Sequence, residues 1–247
     1  MNEENLVRHY DQLFRFQDID YRSRNVRKLI KRFLQGGSVL DIGCGTGHLL
    51  RELAEDGRDV TGVEPSKELF EYSLKVCEKN KKIKLFNLGG ENLNTLNKKF
   101  DNIVSVDVIE HVEDDVNQIK NFYSVSGQNA FVVVLVPAFQ FLYGERDKKI
   151  GHLRRYSKKE LIEKMESNGF KVIKSRYWNA LGFLVYFLFE KILRKKIPEE
   201  HRYNEKKGIN LLINKILDLW FRVIENNFSF GFGLSLLVVG KKVNKKE

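Results

Sequence analysis

A chain of 247 residues, 42% hydrophobic and 31% charged with three prolines, has room for one large domain or one domain carrying an insertion, and excludes a fibrous or wholly disordered protein. Its two cysteines, Cys44 and Cys77, exclude a disulfide framework and a cysteine metal cluster and fit a reducing cytoplasm. The formal charge of +10 is uneven: residues 178–247 hold 13 Lys/Arg against 7 Asp/Glu, whereas residues 1–177 hold 30 against 26, which argues against a nucleic-acid groove along the core and leaves an anionic membrane surface, an acidic substrate or a solvated face with no partner as the reason for the basic excess.

In chain order, residues 5–34 read as helical, with Leu29, Ile30, Phe33 and Leu34 on one stripe before Gly36 and Gly37. No apolar leader of the secretory kind is expected at the acidic amino terminus. Residues 38–42 form a short apolar run entering a glycine-rich turn, as a buried parallel strand does. Helices are predicted over 46–55, over 66–79 with Ser66 as cap, and over about 113–124; strands over 59–63, about 82–86, 103–106 and 131–136. Ser157 and Glu160 form a capping box before a helix that stops at Gly169, and strands follow at 171–177 and 234–239. Strands alternating with helices at this spacing give a parallel sheet of βαβ units. The last two strands are separated by roughly 55 residues, too many for a turn, read as two helical segments, Trp178 to about Lys195 and Gly208 to Asn226. In the first, Ala180 to Phe189 is the longest apolar run, short of the about 20 residues a bilayer span needs. The second carries Ile209, Leu212, Ile213, Ile216, Trp220, Val223 and Ile224 on one stripe.

The chemistry concentrates after the first two strands. Asp41, Gly43, Cys44, Gly45 and Gly47 follow a strand and open a helix, where glycines permit close backbone approach to a ligand. The spacing G-x-G-x-G resembles the dinucleotide fingerprint G-x-G-x-x-G, but His48 stands where that pattern has its last glycine. Asp41 separates the two: a carboxylate repels a pyrophosphate and favours a sulfonium and an α-ammonium. Glu64, closing the second strand 21 residues after Gly43 and followed by Pro65, is placed to accept hydrogen bonds from a ribose.

With the run from Val39 to Gly47 (VLDIGCGTG), the run from Gly62 to Ser66 (GVEPS) and the run from Ser105 to Val112 (SVDVIEHV), the chain resembles class I S-adenosylmethionine (SAM)-dependent methyltransferases of the bacterial small-molecule group that includes ubiquinone-pathway enzymes. The close match covers roughly residues 36–137, with a looser one to 177 and again over 233–240. The resemblance implies a Rossmann-like seven-stranded, mostly parallel sheet in a three-layer α/β/α arrangement. It also implies that Asp41, Gly43, Cys44, Gly45 and Gly47 line the methionine end of SAM, that Glu64 and Pro65 hold the ribose, and that the backbone at Val106 and Asp107 faces the sulfonium. Such enzymes place an Asp after the third strand for the adenine; here Gly89 and Gly90 precede Glu91, so Glu91 or backbone groups are assigned that contact.

Methyl transfer to a hydroxyl needs a base, and His111 after the fourth strand and His152 after the fifth stand where ligands bind in open α/β sheets. Beside His152, Tyr143, Arg155 and Tyr156 are expected to meet the acceptor, and Tyr10, Arg22 and Arg24 to close over SAM. Asp107, Glu110 and His111 have a D-x-x-E-H spacing able to gather a cation. Because many similar enzymes work without one, no metal is expected. The reading is therefore a cytoplasmic methyltransferase with an N-terminal helical cap (1–35), a SAM-binding core (36–177 and 233–241) and a helical insertion (178–232). It moves a methyl group to an O, N or C atom of a small-molecule or lipid- or sugar-linked acceptor and not of nucleic acid, and the insertion serves as a lid or rests on an anionic membrane. An NAD(P)-dependent oxidoreductase or epimerase and a non-catalytic SAM-fold partner are the competing readings.

Overall fold

The computed structural model describes residues 21–193 and 209–243. Tyr10 and the basic run 194–196 lie outside the described residues. Seven strands, β1 (Val39–Ile42), β2 (Val60–Val63), β3 (Ile83–Phe86), β4 (Phe100–Val106), β5 (Ser126–Pro137), β6 (Phe170–Trp178) and β7 (Ser235–Lys242), make one sheet in the order β3-β2-β1-β4-β5-β7-β6. The pairs β1–β2, β1–β4, β2–β3 and β4–β5 are parallel, with Asp41 in register with Gly62 on one side and Val104 on the other. The order reverses at β1 and β4: the chain winds outward to β3 and then returns to build the other half. Such a switch point opens a crevice at the carboxyl ends of the two strands.

The helices are α1 (Tyr21–Lys31), α2 (His48–Glu55), α3 (Lys67–Cys77), α4 (Asp115–Val125), α5 (Glu145–Lys149), α6 (Lys158–Ser167), α7 (Ala180–Tyr186) and α8 (Ile209–Trp220). α2 buries Leu49, Leu50, Leu53 and Ala54, an i, i+1, i+4, i+5 stripe, and each fully covered leucine contributes about 1.5–3 kcal/mol. β1 and β2 are buried at every position, as strands covered on both faces must be. Ser66 caps α3 by accepting from the Leu69 amide, and Ser157 and Glu160 form the expected box at α6. Within the described residues the expected strands and long helices are present with ends shifted by a few residues, while residues 5–20 of the first expected helix lie outside them. β5 runs five residues earlier than its β-branched stretch suggested. Short helical turns over Gly90–Leu96, Ile109–His111 and Gln140–Leu142, together with α5, fill segments that had no expected element.

Two compact units make up the chain. One comprises Ile30–Ser175 and the chain from Leu236 and holds the sheet's central strands; the other combines the described residues before Ile30 with those in Arg176–Ser235. The N-terminal helix and the insertion, read from sequence as separate pieces, thus belong to one unit. Its order comes from buried polar groups. Glu225 accepts from the backbone amides of Asn179, Ala180 and Leu181 at 3.0, 2.7 and 3.2 Å and so caps α7. Arg176 donates to the carbonyls of Glu225, Asn226 and Phe228, and Asn25 of α1 donates to Asp218 of α8 at 2.9 Å. α7 and α8 continue as π-helical turns over Phe187–Ile192 and Phe221–Glu225.

Candidate active site

The glycine loop begins where β1 ends. The amides of Gly43 and Cys44 both donate to the carbonyl of Val63, which pulls the loop over the end of β2. Gly43, Gly45 and Gly47 all have positive φ, at 68°, 53° and 77°. Two of them are spoken for by packing: a Cβ on Gly43 would meet Val108 at 2.6 Å, and one on Gly47 would meet Cys77 Sγ at 2.9 Å. Around Gly45 a Cβ would meet nothing within 4 Å. Its backbone borders open space, the cradle that a ligand needs for close approach.

Two buried carboxylates lie close together here, and one of them, Glu64, holds the loop. Glu64, 5% exposed, accepts from the Gly45 amide through Oε2 (2.9 Å) and from the Ser66 amide through Oε1 (3.0 Å). Burial pushes its pKa up, and those two amide hydrogen bonds oppose the rise. Each oxygen keeps lone-pair capacity for another donor. Asp41, 4% exposed, has its pKa pushed up to about 8, first by burial and then by the neighbouring Glu64 charge. Asn87, which the sequence reading passed over, fixes this corner by donating from its amide to the carbonyls of Glu64 (2.8 Å) and Pro65 (3.0 Å). Only its place just after β3 could have drawn notice to it. Cys44 and Cys77 are both buried thiols.

Across the switch point, Val106 ends β4 and Asp107 follows with φ of 51°, a left-handed conformation that costs roughly 1–2 kcal/mol in a non-glycine residue and that gathers at functional sites. Its amide donates to the Leu135 carbonyl at 2.8 Å, tying the turn to β5. The next helical turn presents Glu110 inward, fully buried, and His111 outward. Glu91 sits exposed in the turn after β3, where it accepts from the Asn92 side chain at 3.1 Å.

The loop between β5 and α6 comes down on this turn. The Leu153 amide donates to the Glu110 carbonyl (2.8 Å), Arg154 donates to the Glu113 carbonyl (2.9 Å), and the Tyr156 hydroxyl reaches the Ile109 carbonyl (3.2 Å). His152 is thereby brought to His111, ring centroids 4.7 Å apart at 82°, and its Nε2 lies 3.7 Å from Glu110 Oε1. Its Nδ1 is 3.0 Å from Asp147 Oδ1, and Asp147 also accepts from Arg155 Nε (2.8 Å) and the Gly144 amide (3.0 Å). Burial works to raise the Asp147 pKa, but the hydrogen bonds from His152 and Arg155 prevail and hold it below the ordinary carboxylate range. Loss of surrounding water and then the nearby His152 lower the pKa of His111, although its Nδ1 shares a hydrogen bond with the Gly151 carbonyl (3.1 Å).

The structure therefore brings His111 and His152 together, a contact the sequence did not foretell although it put each at the carboxyl end of a strand. It places the expected acceptor residues differently. Tyr143 is half-buried and donates its hydroxyl to the His152 carbonyl at 2.9 Å. Arg155 is buried against Asp147 and so supports the site from behind. Tyr156 is fully buried, donating to Asp115 at 2.7 Å, and no acceptor can touch it there. Arg22 lies over the Trp178 ring and reaches Ser235, and Arg24 pairs with Asp218, all within their own unit. Asp147, the group that orients His152, was not among the expected site residues; its D-x4-H spacing in the loop was the available signal.

A family model described as a methyltransferase domain matches residues 14–175. The chain belongs to that family, and its sheet is the class I arrangement. It is 29% identical over 157 residues to the ubiquinone biosynthesis O-methyltransferase of Coxiella burnetii, covering 57% of this chain and 66% of that one. It is 31% identical over 110 residues to the tRNA U34 carboxymethyltransferase of Haemophilus influenzae, covering 42% and 34%. The chain thus spans less than two thirds of these relatives' lengths. Among solved structures, the N-methyltransferase NodS of Bradyrhizobium japonicum, in complex with S-adenosyl-L-homocysteine, superposes with a TM-score of 0.63 over 98% of both chains at 13% identity, a likeness of fold.

Proposed function

We propose that this chain is a SAM-dependent methyltransferase that methylates an oxygen of a small-molecule acceptor. The observation that carries the reading is the open cradle at Gly45, hung on Glu64, with the buried carboxyl of Asp41 near Glu64. That donor set suits a cationic, phosphate-free nucleoside. Carboxylates favour an ammonium and a sulfonium and accept from hydroxyls, whereas a pyrophosphate there would meet two acidic groups, which counts against the nicotinamide alternative. Gly43, Gly45 and Asp41 would hold the amino-acid end and Glu64 the ribose; Glu91 remains the proposed adenine neighbour. SAM supplies a methyl group already activated on sulfur, so the protein's task is to align the acceptor and manage its proton.

Oxygen is favoured as the acceptor atom because a hydroxyl must lose a proton and two histidines stand together at the carboxyl end of β4. His152 is fixed by Asp147, and Tyr143 ties down its backbone. The relative named as a ubiquinone biosynthesis O-methyltransferase agrees with this choice, and the near-balanced charge of residues 1–177 favours a small molecule over nucleic acid. The test is to identify by mass spectrometry any ligand that survives purification, then to follow S-adenosylhomocysteine formation with phenol, catechol and sugar hydroxyl acceptors. Retention of NAD with no affinity for SAM would overturn the assignment.

A second reading concerns location and rests on a separate observation. Of the 19 exposed large hydrophobic residues among the described ones, 13 lie between Leu184 and Phe228, including Leu188, Phe189 and Ile192 beyond α7 and Leu212, Ile213, Ile216 and Leu219 on α8. The apolar stripe of α8 faces outward. Residues 178–247 carry 13 Lys/Arg against 7 Asp/Glu, and no described helix is long and apolar enough to cross a membrane. Such a surface suits shallow insertion at an anionic lipid interface.

A further inference from the structure

Two histidines and a buried carboxylate converge on one point in the proposed acceptor site. Glu110, His111 and His152 each offer a ligand atom, and these atoms all lie within 4.8 Å of one another. Donors bound to one first-row ion at about 2.0–2.2 Å stand roughly 3–3.5 Å apart, so the 3.7 Å between His152 Nε2 and Glu110 Oε1 is already near that spacing. The outer contacts of the two rings decide which nitrogens are available. His111 engages Nδ1 with the Gly151 carbonyl and His152 engages Nδ1 with Asp147, which leaves Nε2 of each ring as the nitrogen available to an ion. A metal-binding histidine characteristically gives its other ring N–H to a carbonyl or a carboxylate, and here one does each. The backbone is equally fixed: Leu153 donates to the Glu110 carbonyl, and the His152 amide donates to the Asp147 carbonyl at 2.8 Å.

We propose that Glu110, His111 and His152 form a two-histidine, one-carboxylate site for a first-row divalent cation, with its remaining positions open to oxygens of water or of the acceptor. This departs from the sequence expectation of no metal, and from the D-x-x-E-H grouping there considered. His152, brought in from the loop after β5, replaces Asp107, which the grouped donors do not include. Two imidazoles favour cobalt, zinc, iron or manganese over magnesium and calcium, which prefer all-oxygen shells. The inference deepens the proposed function, because an open-sided cation there would gather an acceptor's oxygens and explain why two histidines and a buried carboxylate lie together.

The test uses the full chain, stripped with chelator and titrated with Co2+ in the absence of SAM and acceptor, reading the visible d–d absorption and the calorimetric stoichiometry. One Co2+ per chain is expected, with imidazole-type absorption, and Mg2+ in excess should not displace it. His111→Ala, at an exposed position where the fold is least at risk, should abolish the absorption with the melting temperature of the chelated protein unchanged. Asp147→Asn, which removes the charge behind His152 and turns one acceptor oxygen into a donor, should weaken Co2+ by about 10- to 100-fold. Absence of Co2+ binding, or binding that survives His111→Ala and His152→Ala, overturns the site. SAM binding by the same stripped protein is measured separately, so loss of the methyltransferase reading and loss of the metal site are distinguishable.

Discussion

Asp41 is a carboxyl that the fold keeps protonated until a cation arrives. With its pKa raised to about 8, the folded apo protein holds a proton there that the unfolded chain gives up near pH 4, so this group contributes stability below pH 4 that is lost as pH rises through about 8. A sulfonium and an α-ammonium favour the carboxylate, so binding SAM expels the proton. Affinity should then rise with pH up to about 8 and level off above. Calorimetry at pH 7 in buffers of different ionisation heat should show net proton release; uptake of a proton would contradict the arrangement. Asp41→Asn should weaken binding roughly 10- to 100-fold and flatten the pH dependence, if a charged hydrogen-bond partner is worth about 1.5–3 kcal/mol. The loop glycines separate affinity from stability. Gly45→Ala strains a left-handed residue by about 1–2 kcal/mol and fills the cradle, so SAM binding should suffer most. Gly47→Ala drives a methyl at Cys77 Sγ and Ser73, and thermal unfolding should register the larger loss.

At the level of elements, loop and helix are locked by Asp115 near the start of α4. It accepts from Tyr156 (2.7 Å) and Lys164 (2.6 Å) and pairs with Arg154 (3.3 Å). Burial favours its protonated form, but the bonds from Lys164 and Tyr156 outweigh it and lower the pKa on balance. A depressed carboxylate stabilises above about pH 4 and loses that contribution as pH falls through its lowered value. Tyr156→Phe should therefore cost about 1.5–3 kcal/mol at neutral pH, a few degrees to about 10 °C in Tm, with the deficit shrinking in acid and SAM affinity unchanged. In the other unit, Glu225 caps α7 by accepting three amides. Glu225→Gln sets an amide N–H against one or more of those donors, so hydrogen exchange should accelerate across the described parts of 176–235 while β1, β4 and β5 keep their protection.

For the whole molecule, the uneven charge and the outward apolar stripe of α8 give a prediction about surfaces. The protein should co-sediment with vesicles containing anionic lipid and much less with zwitterionic ones, and binding should fall as salt screens the basic segment. Replacing Leu212 and Ile216, 56% and 57% exposed, with serine should release it without affecting stability, because neither side chain is in the core. Equal sedimentation of the variant and the parent would show that the apolar face is not the contact.

What the sequence determined by itself was whatever depends on local pattern. Buried strands read as apolar runs, caps as Ser66 and Ser157 with Glu160, and the glycine turn after a strand, with Glu64 at the next strand's end, as the proposed nucleotide cradle. These signals are legible because periodicity and backbone conformation act over a few residues. Tertiary structure alone decided which polar groups meet. Nothing in the spacing told that His152 would lie against His111, 41 positions earlier, or that Arg155 and Tyr156 would turn inward to Asp147 and Asp115. The direction of the α8 stripe was likewise hidden, since amphipathicity fixes that one face is apolar but not what covers it. The charge state of Asp41 belongs here too, because burial and the neighbouring Glu64, not residue type, set its pKa.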